Sequence, residues 1–426
     1  MAGTEDGVSR RAAMTSLGVG ALGIGGVALA QDASRPPVDL GTVRGGNVLF
    51  PPPQANSEAQ PAPPPNADAP ADRVGFAIVG LGKLALEQVL PAFAQAKHAR
   101  PVALVSGSPI KMAAVAKQYG IAPDSCYPYA DMARLRDNPA VHVVYVITPN
   151  ALHRQHVIAA AGAGKHVLCE KPMAPSSSDC HAMIEACRGA DVKLMIAYRM
   201  QYQPHAREAI RLARSGALGS VTLMDMINNQ NQGDPAQWRQ IKALAGGGSL
   251  PDVGLYCLNT ARAVLGEEPV EVSAQIWSPT DDPRFREVED NVAFTLRFPS
   301  GAIANCMSSY STHRISRLKL IGGDAWAEME HAFDYQGQDL RVTRLVDGKD
   351  QTAETSIDVK NQFALELDHM AQCVRKNLLP RTPGEEGAQD QRIMEAIYEA
   401  ARTGRTVRLA AVPGRDRFRG PEPLPE

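Results

Sequence analysis

The sequence predicts a two-part α/β protein. A doubly wound parallel sheet comes first, and an α+β domain with a large, mostly antiparallel open sheet follows. Three observations carry this reading. Short apolar runs alternate with helical stretches between residues 73 and 197, the pattern that builds a parallel sheet. The first of those runs ends in the glycine-rich turn Gly80-Leu81-Gly82-Lys83-Leu84-Ala85. After Gly219 the texture becomes strand-rich, with turn signals such as Pro299-Ser300-Gly301 between apolar runs.

Composition narrows the field. The chain has 426 residues, 44% hydrophobic and 21% charged, with 46 acids against 44 bases for a net charge of −2. At about 150 residues per domain, that length holds more than one domain. Near-neutral charge argues against a nucleic-acid binder. No apolar run reaches the roughly 20 residues of a membrane-spanning helix, so no stable membrane association is expected. Seven cysteines without a C-x-x-C pair suggest neither a disulfide framework nor a metal site.

Residues 1–30 have the form of an export signal. Arg10-Arg11 precedes an apolar stretch of small residues that ends Ala28-Leu29-Ala30, a cleavage-site pattern. Paired arginines point to the twin-arginine route and hence to the periplasm; the competing reading is a disordered tail. Residues 31–72 hold ten prolines and show no helical or strand periodicity. They form an extended arm without a core of its own. Val48-Leu49-Phe50 is an apolar patch suited to docking, and the alternative is a plain tether.

The segment 73–197 is the dinucleotide module. Val74–Val79 reads as a buried strand, the glycine turn follows at once, and a helical stretch runs to Ala96. Gly80 and Gly82 let backbone approach a pyrophosphate at a helix N-terminus, and the small Ala85 lets helix pack on strand. The next strand ends at Ser106-Gly107-Ser108, with Lys111 just beyond. No acid lies between Glu87 and Asp124. An acid at that strand end would hold a ribose 2′-hydroxyl, whereas hydroxyls and a lysine suit a 2′-phosphate. NADP is therefore favoured over NAD, although Lys111 can also be read as a solvated helix residue. Later strands end at Thr148, followed by Pro149-Asn150, at Glu170-Lys171-Pro172, and at Tyr198. Ligands bind at such carboxyl ends. A structural ion pair is the plainer reading of Glu170-Lys171.

Residues 198–410 form the second domain, and 411–426 a tail. One helix interrupts the strands after Gly246-Gly247-Gly248-Ser249, and on it Asp252 and Tyr256 stand four apart on one face.

With these motifs in view, the sequence resembles the Gfo/Idh/MocA oxidoreductases. The matching stretches are Ala77–Lys83, Leu104–Gly107, Cys169–Ala174, Ala245–Leu250, Asp252–Tyr256, Ser308–Thr312 and Pro383–Gly387. The resemblance covers residues 73 to 410, and the tail after Ala411 is unmatched. It implies that Gly80, Gly82, Lys83 and Ala85 shape the pyrophosphate turn. It places Ser106 and Lys111 on the 2′-phosphate, and Thr148, Asn150, Glu170 and Tyr198 around the cofactor. Lys171 would bind the reacting hydroxyl, with Tyr256 as acid–base and Asp252 completing the site. It further implies a tightly held NADP and a homo-oligomer, a tetramer before a dimer, in which the arm embraces a neighbouring subunit.

Location and cofactor together suggest a reaction. The periplasm holds no nicotinamide pool, so an exported enzyme must carry its NADP and regenerate it in place. That points to a coupled oxidoreductase with ping-pong turnover, and the resemblance implies its substrates: an aldose such as glucose oxidised to its lactone and a ketose such as fructose reduced to an alditol. The alternatives are aldose–aldose exchange, an ordinary NADP sugar dehydrogenase, and a non-catalytic sugar sensor.

Overall fold

The computed structural model describes residues 41–50 and 72–424. The export signal and most of the arm lie outside the described residues. Within the arm, the expectation of no regular structure is corrected over a short span. Strands β1 (Thr42–Arg44) and β2 (Asn47–Leu49) pair antiparallel about Gly45-Gly46, both at positive φ. Two such glycines make a tight hairpin turn that other residues adopt poorly. The hairpin packs on its own chain, with Val48 against the dinucleotide-module core.

Six parallel strands make the first sheet among the described residues. They are β3 (Val74–Val79), β4 (Ala99–Val105), β5 (Cys126–Tyr127), β6 (Val143–Val146), β7 (His166–Glu170) and β8 (Leu194–Ala197). Their order is β5-β4-β3-β6-β7-β8. The connection reverses direction between β3 and β6, and that crevice is where such sheets bind ligands. The helical run after β3 is shorter than the sequence suggests. It opens with a wide turn, Ala85–Val89, and closes as α1 (Leu90–Ala92). The intervening helices are α2 (Pro109–Tyr119), α3 (His153–Gly162) and α4 (Ser177–Gly189). The Ser108 and Ser176 side chains accept from backbone N–H groups at the starts of α2 and α4.

Helix α5 (Pro204–Arg214) leads into the second sheet. Its strands are β9 (Leu223–Asn229), β10 (Glu271–Trp277), β11 (Asn291–Arg297), β12 (Ile303–Ser309), β13 (Ile315–Ile321), β14 (Ala325–Glu330), β15 (Asp339–Val346), β16 (Lys349–Glu354) and β17 (Val407–Arg408). The order is β16-β15-β14-β13-β9-β12-β11-β10-β17, antiparallel except where β9 runs parallel to β12. Buried and exposed residues alternate along β11 and β12, so one face carries the core. The short α6 (Lys242–Ala245) and the longer α7 (Leu255–Leu265) sit between β9 and β10.

The chain then returns to the first sheet. Phe363, Leu367 and Met370 of α8 (Gln362–Arg375) join the core with Phe76, Ile78 and Leu104. Helix α9 spans Gly384–Thr403. Its glycine-rich start hides the helical period, but those glycines are contact points: a Cβ on Gly387 would stand 2.9 Å from the Met173 side chain.

Candidate active site

Strand ends bring the dinucleotide residues together. Gly80 has φ +98°, and a Cβ there would lie 2.4 Å from the Ile147 carbonyl oxygen, so only glycine lets β3 turn beside β6. A Cβ on Gly82 would meet nothing within 4 Å among the described residues. The buried Ala85 supports the turn from below, and Lys83 lies 3.9 Å from Glu87 one helical turn on. Ser106 is buried at the end of β4, where its hydroxyl accepts from the Ser108 backbone N–H. Lys111 is buried too. Its Nζ donates to the Leu81 carbonyl at 3.0 Å and sits 5.3 Å from the centre of the Phe50 ring. Burial pushes the Lys111 ammonium down to about 8. The Thr148 hydroxyl is buried without a hydrogen-bond partner among the described residues. Asn150 donates to the Ala245 carbonyl at 2.8 Å, linking this edge to the glycine-rich loop. A turn open over Gly82, an unpartnered hydroxyl and a buried lysine beside the turn fit a dinucleotide.

A second group of polar residues is built on the end of β7. Tyr145 donates to Glu170 at 2.6 Å, and burial raises the Glu170 carboxyl. The next residue, Lys171, turns its ammonium toward the second domain. There it donates to the Asp252 backbone oxygen at 2.7 Å and to its carboxylate at 3.1 Å. His153, from the start of α3, holds the corner from beneath, one ring nitrogen 3.0 Å from the Pro172 oxygen and the other 2.8 Å from the Thr148 oxygen.

Asp252 lies on a wide helical turn, Leu250–Gly254, that runs straight into α7. The loop before it is fixed by close packing: a Cβ on Gly248 would fall 1.9 Å from the Glu289 carbonyl oxygen. Besides Lys171, Asp252 accepts from Arg239 at 3.0 Å and from the Tyr310 hydroxyl at 2.6 Å. Burial favours its neutral form, but Lys171, Arg239 and Tyr310 outweigh burial and hold the carboxyl well below the usual range. Burial likewise opposes the Lys171 charge, and Tyr256, Asp252 and Glu170 reverse that into a net rise.

Tyr256 lies one turn beyond Asp252. Lys171 Nζ stands 4.7 Å from its ring centre. The Arg199 guanidinium stands 4.6 Å from the same ring, and its Nε donates to the Tyr256 hydroxyl at 3.1 Å. Arg199 is itself held by Gln362 at 2.6 Å and by the Phe333 carbonyl at 2.6 Å.

The structure therefore gathers Glu170, Lys171, Asp252 and Tyr256 into one cluster. Tyr198 falls elsewhere: its ring packs in the hydrophobic core below the end of β8. Arg199, Arg239 and Tyr310 were not singled out by sequence reasoning. The strand-end rule that selected Tyr198 applies equally to its neighbour Arg199. Tyr310 lies just past β12, inside one of the family-like stretches, whereas Arg239 lies in an irregular segment that carries no signal.

Comparison with known proteins places the chain. Residues 74–198 match the family model described as oxidoreductase family, NAD-binding Rossmann fold, and residues 206–328 match the GFO/IDH/MocA C-terminal domain. The chain belongs to the Gfo/Idh/MocA oxidoreductases and is an enzyme of that family. A D-xylose 1-dehydrogenase [NADP(+)] of Haloarcula marismortui is 33% identical over 346 residues, 79% of this chain and 93% of the relative. The crystal structure of aldose–aldose oxidoreductase from Caulobacter crescentus, complexed with glycerol, is 49% identical with a TM-score of 0.77, over 79% of this chain and 100% of that one. Levoglucosan dehydrogenase in complex with NADH and L-sorbose shares the fold, with 22% identity, a TM-score of 0.71 and coverage of 80% and 100%.

Proposed function

We propose that this oxidoreductase oxidises an aldose at C1 to its lactone with NADP, which it keeps between turnovers and regenerates on a second sugar. The observation that carries this is Tyr256, its hydroxyl bonded by Arg199 and its ring faced by both Arg199 and Lys171. When bound, the nicotinamide ring accepts or returns a hydride. The rest falls to the protein's own groups.

Oxidation at C1 removes a proton from the hydroxyl while hydride leaves the carbon. The Tyr256 phenolate takes that proton and becomes the phenol; in the phenolate form its oxygen accepts from Arg199 Nε, with the Lys171 ammonium over the ring. In the reverse direction the same hydroxyl supplies the proton. Arg199 occupies one lone pair of that oxygen, which directs the O–H elsewhere, toward the sugar. Lys171 binds the reacting oxygen, and Asp252 holds Lys171 in place through two hydrogen bonds.

Lys111 and Ser106 support NADP over NAD, because a buried lysine and a buried hydroxyl at the end of β4 suit a phosphate. The hairpin that brings Phe50 over Lys111 supports retention, since it covers that end of the dinucleotide site. Export by residues 1–30 gives retention its reason, because a periplasmic enzyme finds no free NADP. Assembly into a homo-oligomer, with the arm reaching a neighbour, belongs to the same reading.

The second sugar has two readings. The sequence favours a ketose such as fructose, reduced to an alditol. The 49% likeness to an aldose–aldose oxidoreductase favours a second aldose. Absorbance of the desalted protein tests all of this. A reduced-nicotinamide band should rise with glucose and fall on adding the acceptor, with fructose and a second aldose tried separately. A protein that desalts free of nicotinamide, or whose band ignores every aldose, would overturn the proposal.

A further inference from the structure

We infer that Glu386, locked by Arg419 of the C-terminal tail, is a positioning residue for the Tyr256–Arg199 pair. The inference rests on the reading of Tyr256 as the proton-transferring group. It begins from the tail, which has no counterpart in the family-like part of the sequence.

The tail is tied down by its own bonds. Asp416 donates its backbone N–H to the Gly266 carbonyl at 2.8 Å, and its carboxylate takes two bonds from Arg214 at 2.6 and 2.8 Å. Gly420 and Arg381 are joined backbone to backbone at 3.0 Å, and Arg381 Nη1 also donates to the Gly420 oxygen at 2.8 Å. A Cβ on Gly420 would fall 2.1 Å from the Pro380 oxygen, so the tail lies directly on the chain before α9. Between these anchors the Arg419 side chain enters the interior with zero exposure.

What Arg419 meets there is Glu386, also fully buried. Its Oε1 accepts from Arg419 Nε at 2.9 Å, from Asn259 Nδ2 at 2.8 Å and from Gln201 Nε2 at 3.1 Å. Its Oε2 accepts from Arg262 at 3.0 Å. Asn259 and Gln201 also bond to each other at 2.9 Å. These two amides are the point of the arrangement. Asn259 stands three residues past Tyr256 on α7, and Gln201 stands two residues past Arg199 on the turn Arg199–Gln201. One carboxylate thus ties the turn that carries Arg199 to the helix that carries Tyr256. The Arg199–Tyr256 contact of 3.1 Å joins the same turn and the same helix.

The charges explain why the tail is needed. Glu386, Asp390 and Glu268 all converge on the fully buried Arg262. Three buried acids against one base are short of positive charge, and Arg419 supplies the second. Burial raises Glu386, but Arg262 and Arg419 outweigh burial and keep it ionised. Without Arg419 the cluster favours protonating a carboxyl. A protonated Glu386 would donate where it now accepts, and one amide tie would be lost.

The test compares full-length Arg419→Ala and Arg419→Lys with the parent, each checked for folding and bound nicotinamide. Single-turnover reduction of the bound cofactor by an aldose gives the rate. The Ala variant should slow that step about 10- to 100-fold, the loss expected from displacing a reacting group by about an ångström, with KM nearly unchanged. The Lys variant should recover most of it. Should the Ala variant fail to fold, Glu386→Gln keeps the volume and is expected to show the same split. A double-mutant cycle with Tyr256→Phe isolates the positioning role. In the Phe background, Arg419→Ala should cost little more. Folded variants with parental rates, or losses that simply multiply with that of Tyr256→Phe, would overturn the inference. Normal turnover by Tyr256→Phe alone would instead remove the acid–base reading beneath it.

Discussion

Replacing Tyr256 with phenylalanine removes one oxygen and leaves nearly everything around it in place. The ring stays, so Lys171 and Arg199 keep an aromatic face at 4.7 and 4.6 Å. Lys171 keeps both bonds to Asp252. Arg199 loses its Nε partner but retains Gln362, the Phe333 oxygen and the Asp334 oxygen at 3.3 Å. A single hydrogen bond to a charged group is worth about 1.5–3 kcal/mol. The remaining partners should keep the stability loss near the lower end, about 1.5 kcal/mol. Catalysis should suffer more. A general acid–base contributes about 10²–10⁴-fold, which is about 3–5 kcal/mol of barrier. Because one hydroxyl serves both directions, cofactor reduction by an aldose and reoxidation by the acceptor sugar must slow together. Rapid mixing resolves the two half-reactions, and thermal melting follows stability. If only one half-reaction slows, Tyr256 binds one sugar and another group moves the proton. If neither slows, the site has been misread.

Three further outcomes are expected. Lys111 sits near 8 in the free protein, so above that pH the site must take up a proton to meet a 2′-phosphate. Affinity of the stripped protein for NADP should then fall about tenfold per pH unit beyond roughly 8.5 while that for NAD stays level; parallel curves in a fluorescence titration would exclude Lys111 from the phosphate site. Burial, then Glu170, push the Glu366 carboxyl well up, and one of its oxygens is buried without a partner among the described residues. The folded state therefore holds a proton that the unfolded chain releases above the ordinary glutamate range, so stability declines as pH rises from there. Glu366→Gln should flatten that decline and melt higher than the parent at neutral pH, and a lower melting temperature at neutral pH would show that Glu366 is ionised in the fold. Deleting residues 31–72 removes the hairpin over Lys111 and should let bound nicotinamide escape on gel filtration; full retention would assign the tight hold to the body of the protein.

The parts legible in the sequence were those set by local rules. A glycine turn after a buried strand fixes a dinucleotide site, because backbone must approach phosphate there and only glycine permits it. Strand ends face the ligand in a parallel sheet, which brought Thr148, Glu170 and Lys171 into view. Helical spacing put Asp252 and Tyr256 on one face, and Lys171 does touch both. The same rules misled where a second constraint intervened. Tyr198 follows a strand as Lys171 does, yet its ring is claimed by the core, and it is the next residue, Arg199, that reaches Tyr256. The wide turns at Ala85–Val89 and Leu250–Gly254 break the helical period that the sequence pattern assumes.

The least legible residues are those whose role depends on partners far along the chain. Arg239 reaches Asp252 across 13 residues, Arg199 reaches Gln362 across 163, and Gln201 reaches Glu386 across 185. Each is an ordinary polar residue in its own neighbourhood, and its buried charge or amide becomes intelligible only once the second sheet, α8 and α9 have folded back onto the first domain. Buried polar groups must be satisfied somewhere, so such residues couple the two sheets tightly. Tyr256 lies where those long-range bonds converge. Local sequence specifies which groups do the chemistry, and the closure of the whole chain specifies the ångström-scale geometry in which they do it.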